Sequence, residues 1–287
     1  MLVELAIGDA YGAGFEFRNP LYVKAFNRVD RYRRPALTWS RGGRYTDDTQ
    51  MTIAVAEAML SGEPWTRELL ANHFVTAFKR DPRSGYAPRF HRFLRSVDDG
   101  ADFLSRIRPT SERSGAAMRA GPVGLLPSID DVLSDAELQA KVTHDTDGGV
   151  RSSQAAALMV HHFAHLNGDT AGLAGFVAQH VPGHWATPWN GRVSMNGIEC
   201  VHAAITAIAA SDSLADLLRR CVDYSGDVDT VASIALAAAS CSERIQHDLP
   251  QLLIYRLERS AYGYDYLFAL DRQLIAAARR RGSRDQA

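Results

Sequence analysis

The stretch Tyr45-Thr46-Asp47-Asp48-Thr49-Gln50-Met51-Thr52-Ile53-Ala54-Val55-Ala56-Glu57-Ala58-Met59-Leu60 decides the fold. From about Asp48 it reads as a helix that is apolar nearly all the way round, which marks a central rather than a peripheral element. Ser225-Gly226-Asp227-Val228-Asp229-Thr230, continuing through Val231 to Ala239, has the same character. Both helices begin with acids. Taken singly, each start has a structural explanation, because Asp and Thr are favoured N-caps and carboxylates suit the positive end of a helix dipole. A cap needs one such residue, not three. Two core helices that meet at their N-termini bring four carboxylates into one partly buried site. Two unit charges 4 Å apart repel by about 1 kcal/mol in water and about 4 kcal/mol near a protein surface, so the group requires cations. The donors offered are all hard oxygen: Asp47, Asp48, Asp227 and Asp229, with the hydroxyls of Thr46 and Thr230. That set suits Mg²⁺ or Mn²⁺, and Ca²⁺ less well. Zinc would want His or Cys, and neither motif holds one.

Working outward, apolar residues recur at helical spacing in nearly every segment, as in Leu69, Leu70, Phe74 and Phe78, or Leu214, Leu217, Leu218 and Val222. Clear strands are missing. The patterns Ser134 to Glu137 and Ser213 to Asp216 predict helix starts, and Gly62 before Pro64 and Asp81 before Pro82 predict stops. The expected fold is all-α, a compact single-domain orthogonal multi-helix bundle of about a dozen helices spanning 1–287. A third acidic segment, Gly8-Asp9-Ala10-Tyr11-Gly12-Ala13-Gly14-Phe15-Glu16, carries three glycines in seven residues. These imply tight turns or close approach of backbone. Gly12-x-Gly14 lacks the third glycine and preceding strand of a dinucleotide fingerprint. Asp9 reads as a buried helix cap or a site acid.

The 32 Lys+Arg against 33 Asp+Glu argue against nucleic acid as a partner. The basic cluster Arg279, Arg280, Arg281 and Arg284 reads as a solvated helix end. Three scattered cysteines, Cys200, Cys221 and Cys241, predict no disulfide framework. Met1 to Ile7 lacks a basic start, so no signal peptide is expected there. Val231 to Cys241, the longest apolar stretch, is far short of the roughly 20 residues of a membrane span. A cytoplasmic monomer is expected. His161 and His165 stand at a zinc-compatible i, i+4 spacing with no intervening Glu, so His161, His162 and His165 read as packing or surface residues. Asp145 and Asp147 read as turn residues, and Asp98, Asp99 and Asp102 as a solvated turn. Trp39, Trp65, Trp185 and Trp189 read as core, with Trp185 and Trp189 in a loop that has the option of reaching a ligand.

Together these segments resemble the ADP-ribosylglycohydrolases, a family that includes the dinitrogenase-reductase-activating glycohydrolases and the animal ADP-ribosyl-arginine and ADP-ribosyl-serine hydrolases. Gly8 to Glu16 is similar to its Gly-Asp-Ala-x-Gly-x-x-x-Glu motif, and Thr46 to Thr49 to its Thr-Asp-Asp-Thr helix. Ser114-Gly115-Ala116-Ala117-Met118-Arg119 is similar to its Asn-Gly-x-x-Met-Arg loop, Thr143-His144 to a Thr-His pair, and Gly226 to Thr230 to its Gly-Asp-x-Asp-Thr. Five motifs in the family's order carry the resemblance over most of the chain. It implies a central dinuclear cleft with two Mg²⁺ or Mn²⁺ ions on Thr46, Asp47, Asp48, Asp227, Asp229 and Thr230. It also implies Glu16 beside the metals and the scissile ribose. Ser114, Gly115 and Ala116 would approach a pyrophosphate through backbone amides, and His144 would contact the ligand. Ser114 departs from the family's Asn, which removes one polar contact from that loop. Val228, Ala237, Ala238 and Ser240 also depart from the common pattern, and the helix before Gly8 looks very short.

The implied activity is metal-dependent hydrolysis of the N- or O-glycosidic bond between ADP-ribose and a modified protein or small molecule, releasing ADP-ribose. Arginine is the first choice of target, because Tyr45 to Gln50 resembles bacterial-type members. Cleavage at ribose C1 passes through an oxocarbenium-like state, with Glu16, Asp47 or Asp48 as general acid or base. One alternative is a catalytically silent ADP-ribose-binding or crystallin-like structural member. Another, an isoprenoid-synthase-like enzyme, would place aspartates at i and i+4 within helices, whereas here they stand adjacent or at i, i+2 at helix starts.

Overall fold

The computed structural model describes residues 1–35 and 42–284, with side chains through residue 278. Trp39 and the side chains of Arg279, Arg280, Arg281 and Arg284 lie outside the described residues. Fourteen α-helices run in the order α1 Leu2–Gly12, α2 Pro20–Phe26, α3 Asp47–Leu60, α4 Arg67–Arg80, α5 Pro88–Ser96, α6 Gly100–Arg106, α7 Ile129–Lys141, α8 Asp147–Ala164, α9 Leu173–His180, α10 Gly197–Ala209, α11 Leu214–Asp223, α12 Val228–Ala239, α13 Gln251–Arg256 and α14 Tyr264–Arg284. Two 3₁₀ turns, Ser114–Ala116 and Gly121–Leu125, stand between α6 and α7. Among the described residues there is no strand, only isolated bridges.

The helices without a polar face are the inner ones. Every residue of α12 is buried, and so is every residue of α1 except Glu4. α12 packs against α1, α3, α8, α10 and α11, and α3 is covered on other sides by α4 and α14. Helices farther out show one apolar stripe. In α11, Leu214, Leu217, Leu218 and Val222 are buried, while Asp216, Arg219, Arg220 and Asp223 pair with one another along the outer face.

The glycines of the first segment do not break a helix, because α1 runs through Gly8 without interruption. They instead let two helices touch backbone to backbone. A Cβ on Gly8 would lie 2.6 Å from the carbonyl oxygen of Ala232, and one on Gly12 would lie 2.4 Å from Cα of Asp229. The i, i+4 spacing puts both glycines on one face of α1, where they bring α1 against the first turns of α12.

Ser134 lies inside α7 rather than at its start. Ser128 caps that helix, accepting from the Asp131 amide. Ser128 to Asp131 offers the same Ser-x-x-acid pattern six residues earlier, just after Pro127, and the longer helix wins. Ser213 caps α11 as expected, and α3 and α4 end just before Ser61-Gly62 and at Asp81.

Gly12→Ala should cost about 3 kcal/mol, because the added methyl meets backbone that cannot move aside. For a chain of this size the melting temperature should fall by about 6 °C or more. Gly175→Ala in α9, where an added Cβ meets nothing within 4 Å, should be neutral or slightly stabilising. Thermal melts of the two variants side by side check this, and equal melting temperatures would refute the close-approach account.

Candidate active site

The acidic segments converge at the N-termini of α3 and α12. Asp9 is fully buried in α1, and its carboxylate accepts from the Thr46 amide at 2.9 Å, the Thr46 hydroxyl at 2.8 Å, the Thr49 amide at 3.0 Å and the Thr49 hydroxyl at 2.6 Å. Asp9 therefore caps α3 from another helix, and Thr46, the residue at the cap position, makes no side-chain cap of its own. Four donors on one carboxylate satisfy the amides that a helix start leaves open. They also turn the Thr46 hydroxyl so that its proton points to Asp9 and its lone pairs point elsewhere. The next residue, Asp47, is half-buried, and Asp48 is buried. Gly85, with φ +108°, passes over this corner so closely that a Cβ there would overlap the Asp47 carboxylate.

On the α12 side, Asp227, Asp229 and Thr230 are all buried. Asp227 Oδ2 accepts from Ser114 Oγ at 3.1 Å and from Cys200 Sγ at 3.6 Å. The hydroxyl of Ser233, one turn into α12, donates to the Asp229 carbonyl at 2.7 Å and lies 3.3 Å from Asp48 Oδ2. That contact ties the two acidic starts together. Glu16 follows α1 on a short turn, and one ligand oxygen each from Glu16, Asp227 and Asp229 lies within 4.8 Å of the others. The chain is held tightly on both flanks of this group. Phe17, with φ +50°, donates its amide to the Gly226 carbonyl, and Ser225, with φ +60°, accepts from the Val193 amide. Positive φ at non-glycine residues is costly and persists where surrounding structure enforces it.

Six carboxylates thus crowd one buried place, and their electrostatics follow. Burial comes first in raising Asp47, Asp48 and Asp229 well above the ordinary aspartate range. Asp9 adds repulsion to Asp47 and Asp48, and Glu16 and Asp227 add it to Asp229. Glu16 is pushed up to about 8 by burial, then by Asp227 and Asp9. Burial raises Asp9 and Asp227 as well, and the hydrogen bonds each accepts oppose it. Among the described residues no Lys, Arg or His makes an ion pair with any of the six. Side chains among the described residues do not balance the charge, and two helix dipoles of roughly half a charge each are too weak. A set of carboxylate and hydroxyl oxygens with no nitrogen donor fits hard divalent cations.

The loop Ser114–Ala116 lies against this cluster. Its Ser114 amide is taken by the Met195 carbonyl at 2.9 Å, so from Ser114 the hydroxyl, not the amide, faces the acids. A Cβ on Gly115 would lie 2.8 Å from the His144 ring, so the imidazole seats directly beneath the loop. Arg119 donates to Thr143 Oγ1 at 2.8 Å, and Thr143 Oγ1 lies 2.6 Å from His144 Nδ1. Burial, then Arg119, holds His144 far below the usual imidazole range, at about 3, so it is neutral. Arg119 itself is buried without an anion, bonded to Gln139 and stacked over Phe74, and burial lowers it to about 9. Gln139 in turn donates to the Ala116 carbonyl at 2.9 Å. The loop is buttressed from below by a hydrogen-bonded network.

The remaining candidates fall elsewhere. His161 Nδ1 and His165 Nε2 are each 3.0 Å from backbone carbonyls of Leu126 and Leu125, and their rings stack 4.8 Å apart. His162 packs against Phe163 and Phe176. Trp185 is buried with its indole on the Val181 carbonyl, while Trp189 is half-buried against His202. Asp99 caps α6, with Asp98 and Asp102 beside it on the surface. Asp145 and Asp147 flank the Thr146 cap of α8. The sequence reading missed Cys200, Ser233 and Gly85. Ser233 had a signal, being a polar residue one turn from Asp229 in an otherwise apolar helix. Cys200 and Gly85 had none, since only the fold carries them to the acids.

No helix among the described residues is long and apolar enough to cross a membrane. The family model "ADP-ribosylglycohydrolase" matches residues 1–284. The chain is 29% identical over 186 residues to ADP-ribosylhydrolase ARH3 of Xenopus tropicalis, a match covering 59% of this chain and 50% of that protein. It is 23% identical over 255 residues to ADP-ribosylarginine hydrolase Tri1 of Serratia proteamaculans (strain 568), covering 81% of this chain and 67% of Tri1. The match therefore spans about half to two thirds of the length of these relatives. A solved structure described as "ADP-ribosylglycohydrolase-related protein complex" superposes with a TM-score of 0.75 at 20% identity, covering 96% of both chains, and shares the fold. On the strength of the family match and this common architecture, the chain belongs to the ADP-ribosylglycohydrolase family.

Proposed function

We propose that residues 1–287 act as one domain that hydrolyses the glycosidic bond between ADP-ribose and a modified target. Two Mg²⁺ or Mn²⁺ ions would be held by Thr46, Asp47, Asp48, Asp227, Asp229 and Thr230. The observation that carries this reading is the cluster of six carboxylates, four buried and two half-buried, with no balancing side-chain cation among the described residues, beside a small-residue loop. When bound, the metals supply positive charge and Lewis-acid activation of water.

The chain's own groups do the rest. Amides of Gly115 and Ala116 face the pyrophosphate, with the neutral His144 beneath them. The negative field of the acidic cluster favours positive charge developing on the ribose as the C1 bond breaks. Glu16 is half-buried, and no protein hydrogen bond among the described residues ties its carboxylate. It is the group placed to take the proton of the attacking water, whereas Asp48 lies against Ser233. Two divalent ions neutralise four of the six negative charges, and the remainder favours a cationic aglycone. That supports an arginine guanidinium as the modified group, in keeping with the relative named as an ADP-ribosylarginine hydrolase.

Asp48→Asn and Asp227→Asn should each lower kcat by on the order of 10²-fold or more, read on ADP-ribosyl-arginine with Mg²⁺ or Mn²⁺. Glu16→Gln should lower kcat by about 10²-fold with little change in KM. ADP-ribosyl-arginine, ADP-ribosyl-serine and O-acetyl-ADP-ribose compared in one assay test the aglycone, and preference for a neutral one overturns the arginine assignment.

Stability of the metal-free protein should also depend on pH. A Glu16 raised from 4.5 to about 8 stabilises the fold least when ionised, so that contribution is intact below about pH 4.5 and lost as pH rises through 8. The gain in melting temperature on adding Mn²⁺ should therefore be larger at pH 8 than at pH 5. A gain independent of pH contradicts the cluster as the metal site.

A further inference from the structure

The metal cluster and the ligand loop are joined by one strap of backbone, residues 193–197. On one side the Val193 amide donates to the Ser225 carbonyl at 3.0 Å, and the Val193 carbonyl accepts from the Asp227 amide at 3.1 Å. Fit is tight there, since a Cβ on Gly226 would collide with the Val193 carbonyl. On the other side the Met195 carbonyl accepts from the Ser114 amide at 2.9 Å, and the Gly197 amide donates to the Glu112 carbonyl at 3.0 Å. Ser114 then closes the circuit with its side chain. Its hydroxyl donates to Asp227 Oδ2 at 3.1 Å and accepts from Thr230 Oγ1 at 3.5 Å. Cys200, at the start of α10 and fully buried, donates to the same Asp227 oxygen at 3.6 Å.

Asp227 Oδ2 thus has two protein donors, and donors behind a carboxylate fix its orientation. The two donors differ in what stands behind them. Cys200 belongs to a rigid core helix, whereas Ser114 belongs to the loop that faces the pyrophosphate.

We propose that Ser114 is a positioning residue that couples the two half-sites: filling the metal cluster fixes Asp227, and Asp227 through Ser114 orders the Ser114–Ala116 loop. This rests on the metal reading above. Coupling of this kind is reciprocal, so loop order also favours metal retention.

The test uses Mn²⁺ alone, with the whole chain, in two measurements that need no turnover. Electron paramagnetic resonance titration gives the Mn²⁺ affinity, and hydrogen exchange of the segment 110–120 gives loop order. In the unsubstituted protein, Mn²⁺ should slow exchange across the loop. Ser114→Ala should weaken Mn²⁺ binding by about tenfold, the loss of one hydrogen bond to a charged group, and should abolish the slowing even at saturating Mn²⁺. Ser114→Thr, which keeps the hydroxyl, should restore it. Cys200→Ala should weaken Mn²⁺ binding while leaving the slowing intact at saturation, because its thiol, 3.4 Å from the Ser194 carbonyl and 3.6 Å from Asp227 Oδ2, makes no bond to the Ser114–Ala116 loop itself. Thermal melts identify a variant that fails to fold, and the Thr and Cys200 variants then carry the comparison. If Ser114→Ala at saturating Mn²⁺ protects the loop as the unsubstituted protein does, or if Cys200→Ala abolishes protection equally, the coupling is overturned and the metal reading stands. If the unsubstituted protein binds no Mn²⁺, both fall.

Discussion

Mutual repulsion among Asp9, Glu16, Asp47, Asp48, Asp227 and Asp229 is the constraint to which the rest of the molecule answers. Each carboxylate is desolvated, and each faces others of the same sign. Such a group disperses unless the backbone carrying it is rigid and its oxygens are individually held. The chain meets the first need by mounting four of the acids at the starts of two inner helices, α3 and α12, and the other two on α1 and just after it. It meets the second by assigning particular donors to particular oxygens: threonine hydroxyls and amides to Asp9, Ser114 and Cys200 to Asp227.

The frame behind this is the contact of α1 with α12. Gly8 and Gly12 allow the two backbones to approach closer than any side chain permits, and that approach places Asp9 under α3 and Glu16 beside Asp227. A helix cap supplied from another helix makes the start of α3 depend on tertiary contact. In the same way the Ser114–Ala116 loop depends on a strap bonded to the Ser225–Asp227 turn. The site is a set of chain segments that hold one another.

Much of this was legible from residue order. Apolar residues all round Met51 to Met59 and Val231 to Ala239 marked the inner helices, and α3 and α12 are inner helices. Pairs of acids at both starts implied convergence, and the contact of Ser233 with Asp48 displays it. Clustered glycines implied close approach, which α1 and α12 make. The start of α7 was misplaced because two Ser-x-x-acid patterns lie within one helical stretch, and local chemistry alone does not rank them. His144 was ambiguous because a buried imidazole next to a threonine serves a cap or a ligand equally well until its neighbours are known.

Residue order by itself determined that the chain is helical, which helices lie innermost and that acids head both of them, because periodicity and capping act within a few residues of chain. Only the tertiary structure decided that Asp9 caps a helix other than its own, that Cys200 and Gly85 stand against the acids, and that residues 193–197 tie the Ser225–Asp227 turn to the Ser114–Ala116 loop. These contacts join residues 27 to 113 positions apart, and their partners come together through packing of whole helices, for which no local pattern in the chain is a signal.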